Sequence, residues 1–187
     1  MGYVETTGPG NLTLAQFDAI PDDGRRHELL NGRLLVTPSP AADHQRAAFQ
    51  LAIRLQPACP DHLEVFFAPF DFRPNDRSSL QPDLMVCRSE DVERYGVRRP
   101  LLLAVEILSP SNRSADLVTK RHVYEQAGVA SYWIFEPDEA VLTVLELADG
   151  RYVERTFKDD EVFETDRPFP MRIVPAELVR RVNRSAG

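Results

Sequence analysis

The sequence is poor in cysteine, and this narrows the kinds of site and stabilisation that it can have. Only two cysteines, Cys59 and Cys87, occur in 187 residues. Neither lies in a CxxC motif or in a Cys/His cluster, so a zinc site built on thiolates is not expected. We interpret both as free thiols in a reducing compartment.

Targeting and membrane-spanning patterns are also missing. The first residues show no basic stretch followed by an apolar core, so no signal peptide is visible. The longest apolar runs are about eight residues, whereas a membrane helix needs about 20. A cytoplasmic protein without membrane contact is therefore the expectation.

The glycine-rich loops of several large enzyme classes do not occur. The chain contains no Walker loop, no GxGxxG and no GxSxG. Binding of nucleoside triphosphates or dinucleotides and α/β-hydrolase chemistry consequently lack support. Its fifteen prolines against nine glycines indicate rigid turns rather than flexible linkers.

An excess of basic residues is likewise missing, since the net charge is −7. This argues against broad, non-specific binding of nucleic acid. The charge is uneven, however. Residues 88–121 contain seven Arg/Lys and five Asp/Glu, a net of +2, whereas residues 122–170 contain four and twelve, a net of −8. A polyanion is expected to meet the first region, where Arg113 and Arg121 are the candidate contacts.

What is present predicts one mixed α/β domain over residues 1–187, with residues 1–10 flexible. Helices are expected from Thr13 onward, over 42–56 with Pro57 ending it, over 114–127 and over 175–182. Strands are expected over 63–68, 70–73, 82–87, 101–108, 129–135, 141–147 and 151–157. A turn is expected over 75–79 and a loop with a helical turn over 88–100. Strand 101–108, helix 114–127 and strand 129–135 form a parallel βαβ crossover.

A β-hairpin is predicted near the N-terminus. Two apolar runs flank Asn31-Gly32, a pair that accepts the positive φ angles of a type I′ turn. Pro38 and Pro40 are expected to end its second strand.

Glu106 is the first candidate for chemistry, because it is the one charged residue in the apolar run from 101 to 108. A strand this apolar is expected to be covered on both faces. An unpaired carboxylate there costs several kcal/mol. Glu106 must therefore meet a metal ion, a proton or a basic side chain, and a structural salt bridge remains an alternative to a metal site.

Asp83 is the second candidate, and its significance comes from Glu106. Alone, an aspartate after Pro82 is typical of a turn or a cap. Two carboxylates on neighbouring strands, however, suit a hard cation such as Mg²⁺. Such an ion can activate water and stabilise the charge of a phosphodiester under attack.

Pro82-Asp83, followed by Glu106 in an apolar strand and then by a lysine, resembles the PD-(D/E)xK nuclease signature. The wider sequence resembles the Uma-two family of endonucleases over residues 15 to 147. The motifs that carry this resemblance are Asp22-Asp23-Gly24, Glu28-Leu29-Leu30-Asn31-Gly32, Ser39-Pro40, His44-Gln45, Gln81-Pro82-Asp83-Leu84, Val105-Glu106-Ile107-Leu108-Ser109-Pro110-Ser111, Asp116, Lys120, Tyr124, Gly128-Val129 and Tyr132-Trp133-Ile134. The resemblance implies a restriction-endonuclease-like fold, with a central mixed β-sheet flanked by helices.

The lysine departs from the superfamily pattern. Leu108 stands two residues after the strand glutamate, where lysine is expected, and it shares the face of Glu106. Lys120 is the substitute that the resemblance implies. It lies on a helical stripe with Asp116 and Tyr124 that can face the carboxylates, although an exposed Asp–Lys pair is the alternative.

Two further residues are candidates for supporting roles. The family carries a glutamate at the position of Glu28, which could add a carboxylate or orient water, or could simply face solvent. His44 lies near the start of the second predicted helix, where it could reach the site or cover the helix end.

These observations give two hypotheses. The favoured one is a metal-dependent endonuclease that uses Mg²⁺ or Mn²⁺ on Asp83 and Glu106, with Lys120 assisting. It hydrolyses DNA or RNA, with DNA the first expectation, and acts as a homodimer whose two sites meet a duplex. The alternative is an inactive nuclease fold that serves as a binding or dimerisation module, with Glu106 in a structural ion pair.

Overall fold

The structure is a computed structural model that describes residues 5–7, 10–37, 39–108 and 115–180. The strands of the first half are β1 (Glu5–Thr7), β2 (Arg26–Leu30), β3 (Arg33–Thr37), β4 (Leu63–Phe67), β5 (Asp71–Asn75), β6 (Ser78–Leu80), β7 (Leu84–Arg88), β8 (Val92–Glu93) and β9 (Gly96–Val97). Those of the second half are β10 (Leu103–Ile107), β11 (Ser131–Glu136), β12 (Val141–Ala148), β13 (Arg151–Lys158), β14 (Phe163–Thr165) and β15 (Met171–Ile173). The helices are α1 (Leu14–Asp18), α2 (Ala42–Ala58), α3 (Ala115–Gln126) and α4 (Pro175–Val179), with a 3₁₀ turn over Ser89–Asp91.

The strands form two large sheets and one small one. The first has the order β1-β3-β2-β6-β5-β9-β8, and the second has the order β13-β12-β11-β10-β7-β4. Strands β14 and β15 pair with each other. Within the second sheet, β10 is parallel to β11 and antiparallel to β7. The fold is therefore mixed α/β, as predicted.

The predicted parallel crossover is present. Strand β10 leads through α3 into β11, and Glu106 lies opposite Ile134 in the parallel register. Strand β10 has sheet neighbours on both sides, and all five of its residues are buried. The prediction that Glu106 lies in a strand covered on both faces is confirmed.

Side chains of β10 alternate between two apolar cores. Leu103, Val105 and Ile107 pack in a core that includes residues of α2 and α4. Ala104 packs in the other core, with Val123 and Tyr124 of α3. Because Glu106 follows the same alternation as Ala104, its side chain faces α3.

The N-terminal hairpin forms as the Asn-Gly pair predicts. Strands β2 and β3 are antiparallel, with Leu30 opposite Arg33, so Asn31 and Gly32 form the two-residue turn. Both have positive φ, 50° and 80°, as a type I′ turn requires. The turn sets the register of β2, which carries Glu28.

Several predicted boundaries are wrong. Helix α2 continues past Pro57 to Ala58, because a proline in the last turn removes only one helical hydrogen bond. The predicted turn over 75–79 is shorter, and Ser78 already begins β6. The region 88–100 contains the expected helical turn and also the short strands β8 and β9. These strands are two residues long, too short for alternation to reveal them.

No helix among the described residues is long and apolar enough to cross a membrane.

Candidate active site

The two candidate carboxylates are neighbours across β7 and β10. Leu84, the first residue of β7, lies opposite Val105, so Asp83 and Glu106 occupy the next position along the pair. The backbone N–H of Ile107 donates to Asp83 Oδ2 at 2.7 Å. Both carboxylates are buried, with exposed fractions of 5% for Asp83 and 7% for Glu106.

Helix α3 brings Lys120 and Tyr124 onto Glu106. Lys120 Nζ lies 2.9 Å from Glu106 Oε1 and 3.0 Å from Oε2. The Tyr124 hydroxyl donates to Glu106 Oε1 at 2.7 Å. The two side chains reach the same carboxylate because residues four apart lie on one face of a helix. Asp116 is on the predicted stripe, but its side chain lies outside the described part of the chain.

Glu28 is a second carboxylate partner of Lys120. Lys120 Nζ is 3.1 Å and 3.2 Å from the two oxygens of Glu28. The backbone N–H of Gln81 donates to Glu28 Oε1 at 2.7 Å. Glu28 is 2% exposed and Lys120 is 6% exposed, so this pair is buried and does not face solvent.

His44 and Arg26 contact Asp83. His44, in the first turn of α2, has its Nε2 3.1 Å from Asp83 Oδ2. Arg26 Nη1 lies 3.3 Å from Asp83 Oδ1, and Arg26 Nη2 donates to the carbonyl oxygen of Gln81. The structure thus brings together Asp83 and Glu106 with the other candidates Lys120, Glu28 and His44.

The surroundings shift the pKa values of the two strand carboxyls in opposite directions. Burial alone would raise the pKa of Asp83, but the hydrogen bond and charge of His44, with the charge of Arg26, hold it below its ordinary value. Burial raises the pKa of Glu106 above its ordinary value, although Lys120 opposes this. The two carboxyls therefore differ electrostatically. An added positive charge would stabilise the ionised form of Glu106 more than that of Asp83.

The comparisons with known proteins can be set beside this geometry. A profile of the Uma2 family, described as "Putative restriction endonuclease", matches residues 14–177. The chain belongs to the Uma2 family. None of the curated proteins matches the sequence.

Among solved structures, the chain is similar to a putative nuclease belonging to DUF820 from Anabaena variabilis ATCC 29413. The TM-score is 0.72 at 18% identity, over 90% of this chain and 97% of the other. At this identity the likeness shows the fold. The predicted restriction-endonuclease-like fold of this Uma2 protein is thereby confirmed.

The donor set of the Uma2 site suits a divalent ion only in part. Asp83 and Glu106 offer carboxylate oxygens, which Mg²⁺ and Mn²⁺ prefer. Within the described residues, no group of three or more His, Cys, Asp and Glu side chains is arranged to hold an ion. Two carboxylates nevertheless fit Mg²⁺, because this ion is commonly bound through one or two carboxylates with water and substrate phosphate completing its shell.

The predicted nucleic-acid contacts are less favourable. Arg113 lies outside the described residues. Arg121 is on α3, but its Nη1 lies 2.7 Å from Glu154 Oε2 on β13. A second basic residue of the same region, Arg98, lies 3.4 Å from Glu93. The contact with Glu93 is already included in the net +2 of residues 88–121. Glu154 lies outside that region, so its pairing with Arg121 lowers the positive charge that the region presents at the surface.

Two residues of the site were not predicted as members of it. Arg26 shares a face of β2 with Glu28, and the i, i+2 spacing could have indicated it. Its target, Asp83, is 57 residues away and is not recognisable from the sequence. Tyr124 belonged to the predicted stripe, but nothing in the sequence shows that its hydroxyl reaches Glu106.

Proposed function

We propose that this Uma2 protein is a metal-dependent nuclease that hydrolyses phosphodiester bonds, with DNA as its first expected substrate. The observation that supports this most is the position of Lys120. Its ammonium lies 2.9 Å from Glu106 although it comes from α3. In the nuclease signature the lysine stands two residues after the strand glutamate, where this chain has Leu108. Lys120 supplies the cation that Leu108 cannot. Lys120 therefore lies beside the carboxylate of Glu106, an arrangement that supports a role in phosphodiester hydrolysis.

The residues have distinct proposed roles. Asp83 and Glu106 would hold Mg²⁺ or Mn²⁺, which when bound would supply Lewis-acid activation of water and charge stabilisation. Lys120 would stabilise negative charge on the scissile phosphate or orient the attacking water. Glu28 fixes the ammonium of Lys120, and His44 fixes the carboxylate of Asp83.

The Arg113 and Arg121 region would contact the nucleic-acid backbone, and a homodimer would present two sites to a duplex. We also propose a cytoplasmic location, which accords with the reduced state of Cys59 and Cys87.

A direct test is cleavage of DNA and RNA panels with Mg²⁺ or Mn²⁺, comparing wild type with Glu106→Gln. The glutamine keeps the shape of the side chain but removes its charge, and we expect cleavage to fall by at least about 100-fold. Glu164→Gln is the matched control, because Glu164 is an exposed glutamate on β14, outside the candidate site. Equal cleavage by Glu106→Gln and wild type, or none by any of the proteins, would refute the proposal.

A second candidate function is a non-catalytic binding or dimerisation module. It is favoured by the ion pairs of Glu106 and Glu28 with Lys120, which can act as a structural cluster without metal. Calorimetry with Mn²⁺ separates the two functions. Binding that is lost in Asp83→Asn supports the nuclease, whereas no binding at millimolar Mn²⁺, with or without a DNA duplex, supports the module.

A further inference from the structure

We propose that Arg26 is a substrate-contacting residue that neutralises Asp83 in the free protein and moves to the phosphodiester when a metal ion binds. As a result, the ion and the nucleic acid bind the site together, and neither binds tightly alone. This inference rests on the proposed nuclease function and specifies how the same site is regulated.

The first argument is that the chain's own donors already contact the carboxylate oxygens. Asp83 Oδ1 is contacted by Arg26 at 3.3 Å, and Oδ2 by the Ile107 N–H at 2.7 Å and by His44 at 3.1 Å. Both oxygens of Glu106 are contacted by Lys120. A divalent ion on these oxygens therefore lies next to cationic side chains, and repulsion between the positive charges favours the displacement of one of them.

The second argument concerns net charge. With His44 neutral, Glu28, Asp83 and Glu106 contribute three negative charges and Lys120 and Arg26 contribute two positive ones, so the cluster has a net charge of −1. A divalent ion alone changes this to +1, whereas an ion with one phosphodiester gives zero. Uncompensated charge is costly in a buried site. The neutral combination is the favoured one.

The third argument identifies Arg26, and not Lys120, as the cation that moves. Lys120 makes four contacts under 3.3 Å with two carboxylates and is 8% exposed in its side chain. Arg26 makes one contact of 3.3 Å with a carboxylate, that of Asp83, donates to the carbonyl oxygen of Gln81, and is 22% exposed in its side chain. Its buried Nε has no hydrogen-bond partner among the residues that the structure describes. Its guanidinium can donate two parallel hydrogen bonds to a phosphate.

The experiment measures Mn²⁺ binding to the full chain by electron paramagnetic resonance, which detects the free ion without depending on cleavage. Wild type is titrated alone, with a short DNA duplex, and with a duplex of the same sequence carrying neutral methylphosphonate linkages. We expect the ordinary duplex to tighten Mn²⁺ binding about tenfold or more, and the neutral duplex to leave it unchanged. By reciprocity, Mn²⁺ must tighten duplex binding by the same factor.

Arg26→Met tests the residue itself. Removing the cation next to Asp83 should tighten Mn²⁺ binding in the absence of DNA by about tenfold, and should reduce the effect of the duplex. Arg54→Met is the matched control, because Arg54 has a similar exposed fraction, 26%, but contacts Gln50 and Glu177. Arg54→Met should bind Mn²⁺ as wild type does, and circular dichroism checks that both variants fold.

The outcomes separate this inference from the function on which it rests. If wild type binds Mn²⁺ equally tightly with and without the duplex, and Arg26→Met behaves like wild type, the inference is overturned while the nuclease proposal stands. If no protein binds Mn²⁺ under any condition, both are overturned. Tighter binding by Arg26→Met without DNA supports the inference even if the chosen duplex is not bound.

Discussion

Lys120 is a buried ammonium whose pKa is governed by its two carboxylate partners. Burial would lower the pKa of Lys120, but the charges of Glu106 and Glu28 raise it above its ordinary value. The lysine therefore stays charged, and the two glutamates depend on it for neutralisation. Removing one partner of a buried ion pair leaves the other charge uncompensated, which commonly costs about 3–5 kcal/mol.

We predict that Lys120→Met lowers the free energy of unfolding by about 3 kcal/mol at about pH 8. The loss should depend on pH. The pKa of Glu106 is already above its ordinary value of 4.5, and loss of Lys120 raises it further. A raised folded-state pKa stabilises the fold below 4.5, and this stabilisation is lost as the pH rises through the raised pKa. The deficit of the variant should therefore be smallest in acid.

Urea unfolding at several pH values measures this deficit. Lys158→Met, at the exposed end of β13, is the control and should change the stability by less than about 0.5 kcal/mol. A deficit that is equal at all pH values, or no larger than that of the control, would contradict the electrostatic account of Lys120.

The sequence predicted which single residues belong to the site better than it predicted which of them contact each other. Glu106 was predictable because a lone charge in an apolar strand requires a partner. That Lys120 is this partner was indicated by helical spacing, and by the resemblance to the family. The contact of Arg26 with Asp83 depends on the pairing of β2 with β6, which involves two segments distant in the chain.

The hairpin of β2 and β3 is the element that places Glu28 and Arg26 in the site. Its turn is closely packed as well as left-handed. A Cβ added to Gly32 would lie 3.0 Å from the carbonyl oxygen of Gly10 and 2.7 Å from Arg77 Nη2. Gly24 has a similar φ, 76°, but no atom of the described part of the chain lies within 4 Å of its added Cβ. Substitutions at the two glycines can therefore distinguish the cost of backbone strain, which both share, from the cost of close packing, which only Gly32 has.

We predict that Gly24→Ala costs about 1 kcal/mol, from the left-handed backbone alone. Gly32→Ala should cost about 2–3 kcal/mol, because overpacking against backbone atoms adds to the same strain. Chemical unfolding of the two variants measures the difference. Equal losses would show that the close approach at Gly32 relaxes without cost.

Elements with strong local signals were predicted well, and the others were not. The capping box of Thr13 and Gln16 is present at the start of α1. The Asn-Gly turn and the apolar strand β10 also formed as expected. The short strands β1, β6, β8, β9, β14 and β15 were missed, because two or three residues give no periodicity and their formation depends on neighbours in the sheet.

The whole molecule is held together by cores that draw on distant segments. The core under α2 extends from Ala47 to Leu178, and α4 closes it. Leu178 is fully buried, and Trp133, the only tryptophan of the chain, lies in the same core. We therefore propose that the chain folds as one domain.

This proposal predicts a single unfolding transition. Fluorescence of Trp133 and far-ultraviolet circular dichroism should give coincident curves in urea. Leu178→Ala should shift both curves equally, by about 2–4 kcal/mol, because it leaves a cavity in the core. Val162→Ala, at an exposed position, is the control. Separate transitions for the two signals would show that the chain contains more than one folding unit.

The net charge of the molecule was predictable from the sequence, but the distribution of that charge over the surface was not. Net charge and the excess of Arg/Lys in residues 88–121 follow from composition. The pairing of Arg121 with Glu154 joins α3 to β13, and no local pattern indicates it. Surface charge depends on which acidic side chains the fold places beside each basic one.

The site draws on residues from β2, α2, the start of β7, β10 and α3, which span positions 26 to 124. A ribosome makes this chain from the N-terminus, so Asp83 and Glu106 emerge before Lys120 and Tyr124. A nascent chain that ends at Ile107 has both carboxylates but lacks the Lys120 ammonium that pairs with Glu106. The complete cluster therefore forms only after α3 has been made, and a shorter chain carries the Glu106 carboxylate without its counter-charge.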